Sequence, residues 1–260
     1  MTATTPIRWG ILGPGSIAQS FAGGVSASRT GKLVAIGARN PGKPSLAESF
    51  PGARILDGYD ALLADPEVDA VYISIPHPGH AQWAIRAAEA GKHVLCEKPL
   101  ALTAFEADAM IHAARKAGTF LGEAFMYRLH PQTLKLVELI RSGVIGEIRM
   151  IKSSFGFAMP GFMPQHRLYA NDQWASALLH FPGGIVAEVS CSISLNQDNV
   201  LRIFGTKGRI EVPDFWFAGG NRDVGLGRID VIASDGARET ISVDEKRHVY
   251  SFEVDAAGEA

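Results

Sequence analysis

The stretch Ile7-Arg8-Trp9-Gly10-Ile11-Leu12-Gly13-Pro14-Gly15-Ser16-Ile17-Ala18 runs from an apolar segment straight into a glycine turn. Ser16 to Ser28 then reads as a helix, with Ile17, Phe21 and Val25 spaced along one face. Strand, tight turn and helix follow one another without a linker. The same texture recurs downstream. Leu33 to Ala38, Ala70 to Ile75 and His93 to Cys96 have the continuous apolar character of strands buried on both faces, with helical stretches between them. Thr103 with Glu106 forms a capping box, and Gly91, Gly118 and Gly143 stand where helices should stop. Alternating strands and helices build a parallel sheet, so residues 1–125 are expected to form a doubly wound α/β domain.

From Gly146 onward the pattern changes to closely spaced strand-like segments: Glu147 to Phe155, Ile185 to Leu195, Val200 to Phe204, Arg209 to Val212, Ile229 to Ala233 and Glu239 to Val243. No helix signal separates them. Residues 126–260 are therefore expected to form a smaller α+β domain with a mainly antiparallel sheet. Such a sheet must cover its apolar face with a helix, the first domain or another subunit, which points to a homo-oligomer through this domain.

The 260 residues are 47% hydrophobic, enough for a proper core, and the formal charge of -2 gives no basic surplus for nucleic acid or anionic lipid. No apolar run approaches the ~20 residues of a bilayer span, and Met1 to Arg8 lacks a signal-peptide layout, so a cytoplasmic location is expected. Two cysteines make no disulfide framework; Cys96 and Cys191 each sit in an apolar strand-like run and read as buried free thiols.

Gly13-Pro14-Gly15-Ser16-Ile17-Ala18 fits Gly-x-Gly-x-x-Ala in the context a dinucleotide needs, after a strand and opening a helix. Gly13 allows the turn, Gly15 lets the backbone approach pyrophosphate, Ala18 permits close packing, and the helix N-terminus at Ser16-Ile17 faces the phosphates. This is the Rossmann signature. The second strand ends in Gly37-Ala38-Arg39-Asn40, where an NAD-binding chain would offer an acid to the ribose hydroxyls. Arg39 instead suits a 2′-phosphate, which favours NADP, with NAD possible as well.

His93 to Cys96 runs into Glu97-Lys98-Pro99 at the carboxyl end of a parallel strand, where open α/β sheets bind ligands. A lysine there can hold a substrate oxygen and stabilise negative charge developing on it, or hand it a proton; by chemistry alone it can equally be a surface lysine. Pro99 restricts Lys98 to an extended conformation and permits a cis bond. Ile75-Pro76-His77-Pro78-Gly79-His80 lies at the same edge, with His80 either a ligand contact or a helix-end histidine. His77 and His80 do not make a metal pair, since proline and glycine separate them and no third ligand lies near in sequence, so no metal is expected.

Taken together, Gly13 to Ala18, Ala38-Arg39, Pro76 with His80, Glu97-Lys98-Pro99, and Glu123-Ala124-Phe125-Met126-Tyr127-Arg128 with Pro131 resemble the Gfo/Idh/MocA oxidoreductase family, in order over residues ~5 to ~170. The likeness is strongest to its NADP-dependent dihydrodiol and xylose dehydrogenases. The resemblance implies that Lys98 is catalytic, that Glu97 and Lys98 line the nicotinamide end, and that Arg39 meets the phosphate of NADP. It also makes Pro76 and His80 cofactor neighbours and Arg167 a cofactor candidate. The implied activity is hydride transfer between nicotinamide and a hydroxyl of a sugar, polyol or cyclic diol.

Two departures qualify the resemblance. After Arg167-Leu168-Tyr169-Ala170-Asn171-Asp172 such proteins carry a glycine-rich segment with an Asp and then a Tyr or His, which completes the catalytic group. Here the chain passes directly to Gln173-Trp174-Ala175-Ser176, a strand that belongs several elements later. Tyr169 and Asp172 do not match the motif's spacing, and His180, in Ala177-Leu178-Leu179-His180-Phe181, reads as a structural strand residue. The chain also ends soon after strand-like Val249 to Val254, where relatives continue with helices packing back on the first domain. A non-catalytic dinucleotide-binding relative is thus the alternative expectation.

Overall fold

The computed structural model describes residues 5–158, 173–218 and 225–259. Its first unit runs to Met126 and resumes at Tyr250. In chain order it contains β1 (Ile7–Leu12), α1 (Ser16–Ala27), β2 (Gly31–Ala38), α2 (Pro44–Ser49), β3 (Arg54–Asp57), α3 (Gly58–Ala64), β4 (Ala70–Ile73), α4 (His80–Glu89), β5 (His93–Glu97), α5 (Ala104–Ala117) and β6 (Leu121–Ala124). The six strands are parallel in the order β3-β2-β1-β4-β5-β6, the doubly wound arrangement expected of a Rossmann sheet. Order reverses at β1, so the crevice for a ligand opens beside β1 and β4.

The capping signals act as read. Thr103 Oγ1 accepts from Glu106 N at 3.2 Å, Glu106 reaches back to Leu102 N at 2.9 Å, and Gly118 closes α5 in the left-handed region at φ 67°. Strands β3 and β6 escape the sequence pattern because Arg54-Ile55-Leu56-Asp57 and Leu121-Gly122-Glu123-Ala124 are short and only half apolar.

One face of the sheet carries Leu12, Val71, Ile73, Val94 and Cys96 and packs on Leu62, Ala84, Ala87 and Met110. The register puts Ile11, Tyr72 and Leu95 side by side on the opposite face. There Phe21 of α1 stacks on Tyr72 with ring centroids 3.8 Å apart and meets Trp9 edge-on at 5.3 Å. Val249 to Val254 is not a strand: Ser251–Glu259 is a helix, α7, numbered after the elements of the other unit. It packs on α1 and belongs to the first unit. A β-branched, aromatic-rich hexapeptide satisfied both periods in sequence, and burial of Phe252 and Val254 under α1 selects the helix.

The second unit, Tyr127–Val249, contains α6 (Pro131–Arg141) and seven strands, β7 (Ile148–Gly156), β8 (Trp174–Phe181), β9 (Ile185–Ser192), β10 (Leu201–Gly205), β11 (Gly208–Val212), β12 (Gly225–Ala233) and β13 (Arg238–Glu245). Their order is β13-β12-β11-β10-β7-β9-β8. The sheet is antiparallel except where β7 and β9 run parallel. Leu136 of α6 closes a core of Ile203, Ile210, Val212, Ile229 and Val231. The cover for that face is therefore the unit's own helix.

At the other end of the sheet, edge strand β8 is exposed along its whole length, including Trp174 at 66% and Leu178 at 60%. The open edge corrects one expectation about the cysteines. Cys96 is buried, but Cys191 is exposed because it pairs with Ala175 of the uncovered β8. No described helix is long and apolar enough to cross a membrane.

Candidate active site

Gly13 leaves β1 with φ at 99°, a conformation L side chains rarely adopt, and a Cβ there would stand 2.7 Å from Ile75 Cγ2. Gly13 N donates to Gly37 O at 3.2 Å, and Ser74 Oγ donates to Gly13 O at 2.7 Å, so the turn is held from β2 and from the end of β4. Ser74 was not singled out by sequence; a lone serine after a strand carries no signal until the register sets it beside Gly13. Gly15 is the N-cap of α1. It is exposed, with nothing within 4 Å of where a Cβ would be. No side chain caps this helix and no acid lies in its first turn. Its leading N–H groups are thus left for an anion. Ser16 is exposed, Ile17 half-buried, and Ala18 fully buried against the sheet.

Arg39 stands exposed immediately past the end of β2, next along the same edge from the glycine turn, and makes no ion pair within the described residues. The open backbone at Gly15 and this unengaged guanidinium fit the pyrophosphate and 2′-phosphate of a dinucleotide.

On the other side of β1, the carboxyl ends of β4, β5 and β6 meet. Lys98 is exposed at the end of β5, and the bond to Pro99 is cis. Its surroundings are tied down by side chains. Glu97 Oε2 accepts from Lys98 N at 3.2 Å, and Glu123 Oε1, from the end of β6, accepts from Leu100 N at 2.8 Å. His80, at the start of α4, is fully buried, with Nδ1 2.9 Å from Pro99 O and Nε2 2.8 Å from Ile75 O. Pro76 is exposed on the turn between them. His77, in the 3-10 turn before α4, is held below the ordinary histidine range by burial and then by its electrostatic interaction with His80 and Lys98.

Glu97 differs from its expected placement. Its carboxylate is buried and points into the sheet face under α1 and α7, where Oε1 accepts from the Tyr72 hydroxyl. Burial and the adjacent Glu97 charge push the Tyr72 phenol well above its usual range, so it stays a donor. Glu253 of α7 completes this buried group. It is 2% exposed, neither of its oxygens has a hydrogen-bond partner among the described residues, and burial, then Glu97, holds its carboxyl well above the usual carboxylate range. Neither Tyr72 nor Glu253 could be found from the sequence, because each becomes part of the site only through pairing and return of the chain.

Arg167, Tyr169 and Asp172 lie outside the described residues. His180 sits exposed on β8.

A model of the oxidoreductase family described as having an NAD-binding Rossmann fold matches residues 7–125. The chain is 30% identical to trans-1,2-dihydrobenzene-1,2-diol dehydrogenase of Mus musculus, covering 81% of this chain and 75% of that one. It is 38% identical to an NADP-dependent D-xylose 1-dehydrogenase of Haloferax volcanii, over 71% of this chain and 54% of that one. Among solved structures, a 3-ketoreductase from Actinomadura kijaniata in complex with NADP and TDP-benzene superposes with a TM-score of 0.84 at 25% identity, covering 98% of this chain and 90% of the other. The alignment with the mouse enzyme runs over 251 residues yet uses 81% of 260, about 211 residues, so about 40 of its positions have no counterpart here.

Proposed function

The chain belongs to the Gfo/Idh/MocA oxidoreductase family, and on that footing we propose that it transfers hydride between NADP and a hydroxyl-bearing carbon of a sugar, polyol or cyclic diol. The observation that carries this reading is a single sheet edge with an uncapped glycine-turn helix, a free arginine past β2 and an exposed lysine past β5. When bound, the nicotinamide supplies the acceptor or donor of hydride. Gly13 makes the turn, Gly15 lets the pyrophosphate approach the backbone, Ser16 and Ile17 offer it N–H groups of the first turn of α1, and Ala18 permits the close packing of that helix. Arg39 pairs with the 2′-phosphate, Pro76 borders the cofactor, and Arg167 is a further candidate for contacting it. Lys98 Nζ holds the reacting oxygen of the substrate and stabilises the negative charge that develops there. Glu97 supports Lys98 from beneath. Free cysteines suit a reducing, cytoplasmic setting.

A second reading is a dinucleotide-binding relative without turnover. It is favoured by the gap of about 40 positions and by the bare faces of β8. The two part in one experiment, in which NADPH binding is followed by fluorescence and turnover is screened over sugars and diols. Hydride transfer requires both, with Lys98→Ala lowering kcat about a hundredfold or more while the Kd for NADPH stays within about threefold. Binding without any turnover leaves the second reading. Equal turnover in Lys98→Ala sinks the role given to that lysine. Arg39→Ala is expected to weaken NADPH about tenfold to a hundredfold and leave NADH unchanged, the worth of a charge-assisted hydrogen bond.

A further inference from the structure

Three backbone groups surround the exposed lysine, and each has a side-chain partner. Lys98 N is held by Glu97, Leu100 N by Glu123 and Pro99 O by His80. Glu97 is the lysine's own neighbour and Glu123 comes from the adjacent strand β6. Glu97 also holds β4 through the Tyr72 hydroxyl on the buried face, whereas His80 ties the lysine turn to the chain just past β4, through Ile75 O. Ile75 precedes a proline, which offers no N–H to continue the ladder, so the carbonyl at that corner is satisfied by the imidazole.

Both atoms facing the ring are carbonyl oxygens, which accept and never donate. A neutral imidazole has one N–H and would leave one of the two contacts, at 2.8 and 2.9 Å, as two acceptors facing each other. With no exposed surface, water cannot relieve that repulsion. Titratable groups that the fold brings to this edge are His77, whose ring centroid is 5.5 Å away, Lys98, Glu97, Glu123 and Glu106 at the start of α5.

We propose that His80 is the positioning residue of this site, a ring donating a hydrogen bond from both nitrogens that ties the end of β4 to the Lys98-Pro99 turn and so sets where Lys98 stands. The proposal deepens the hydride-transfer reading and rests on it for the consequence at Lys98. Buried and engaged at both nitrogens, the ring acts through the lysine turn and does not touch cofactor or substrate.

The test uses the full chain labelled with 13C and 15N, observed by long-range proton–nitrogen correlation at pH 7, with the His80 ring and Lys98 side-chain signals assigned through bonds from their own backbone amides. Both ring nitrogens are expected to carry hydrogen. One bare, acceptor-type nitrogen overturns the proposal, and the wild-type spectrum decides this whether or not a variant folds. In His80→Gln, kcat is expected to fall about a hundredfold, as for a reacting group displaced by about 1 Å, with the Kd for NADPH within about threefold. Unchanged kcat in the folded variant also overturns it. If the wild-type chain turns over nothing, the hydride-transfer reading fails, and the assigned Lys98 side-chain resonance decides this one. A shift of that resonance in His80→Gln supports it, and an unmoved resonance in a folded variant refutes it.

Discussion

Gly13 and Glu253 mark two kinds of single-residue constraint. At Gly13, φ is 99° and the space for a Cβ is already taken by Ile75. Gly13→Ala is expected to cost roughly 1–3 kcal/mol of stability and to weaken NADPH binding, measured by thermal unfolding and fluorescence titration. Glu253 imposes a pH dependence. Its folded-state carboxyl is raised by burial, whereas in the unfolded chain it titrates near 4.5. Below that value both states are protonated and its stabilising contribution is fully present. As pH rises past 4.5 the unfolded state alone releases the proton, and stability is lost progressively until the raised folded value is passed. Glu253→Gln removes the ionisation but keeps the shape. Thermal midpoints taken over a pH series should thus fall more steeply above pH 4.5 in the wild type than in the variant, and parallel curves would count against a buried neutral acid. The glycine could be read from sequence because its reason is local. The glutamate could not, since an acid in Ser251-Phe252-Glu253-Val254 looks like one exposed position of an amphipathic stretch.

Among the elements, β8 is the one whose surroundings are incomplete. It is an edge strand bearing exposed Trp174, Leu178, Leu179 and Phe181, and no described element covers it. Unpaired strand edges with apolar side chains recruit other strands. Self-association of the chain through this edge is the expected outcome, seen as a mass above 27.8 kDa by light scattering on a sizing column. Leu178→Lys should shift the population toward monomer, and a monomeric wild type would remove the basis for assembly here. Elements with strong local signals came out as the sequence had them, namely β1, α1 and the box-capped α5. Those with weak ones, β3 and β6, exist because neighbouring strands supply the hydrogen bonds that two apolar residues could not.

For the molecule as a whole, the first unit is assembled from both ends of the chain. Arg29 N and Thr30 N donate to Asp255 Oδ1 at 2.8 and 3.2 Å, and a side chain on Gly24 would collide with Tyr250. Phe252→Ala, over two hundred residues from the glycine turn in sequence, is expected to destabilise the Rossmann unit by about 3–5 kcal/mol. Urea unfolding followed through Trp9 fluorescence would read that loss, and an unchanged midpoint would show that α7 adds nothing to this unit. Residue order alone determined the parallel sheet, the dinucleotide turn, Arg39 and the lysine at the strand end, because periodicity, glycine geometry and a strand-to-loop junction are written within a few neighbouring residues. Only the tertiary structure decided that Glu97 faces inward to Tyr72, that Glu253 returns beneath it, that His80 is engaged at both nitrogens, and that Cys191 is exposed. Each of these depends on which distant segment comes to lie alongside, and that is settled by burial of apolar surface across the whole chain.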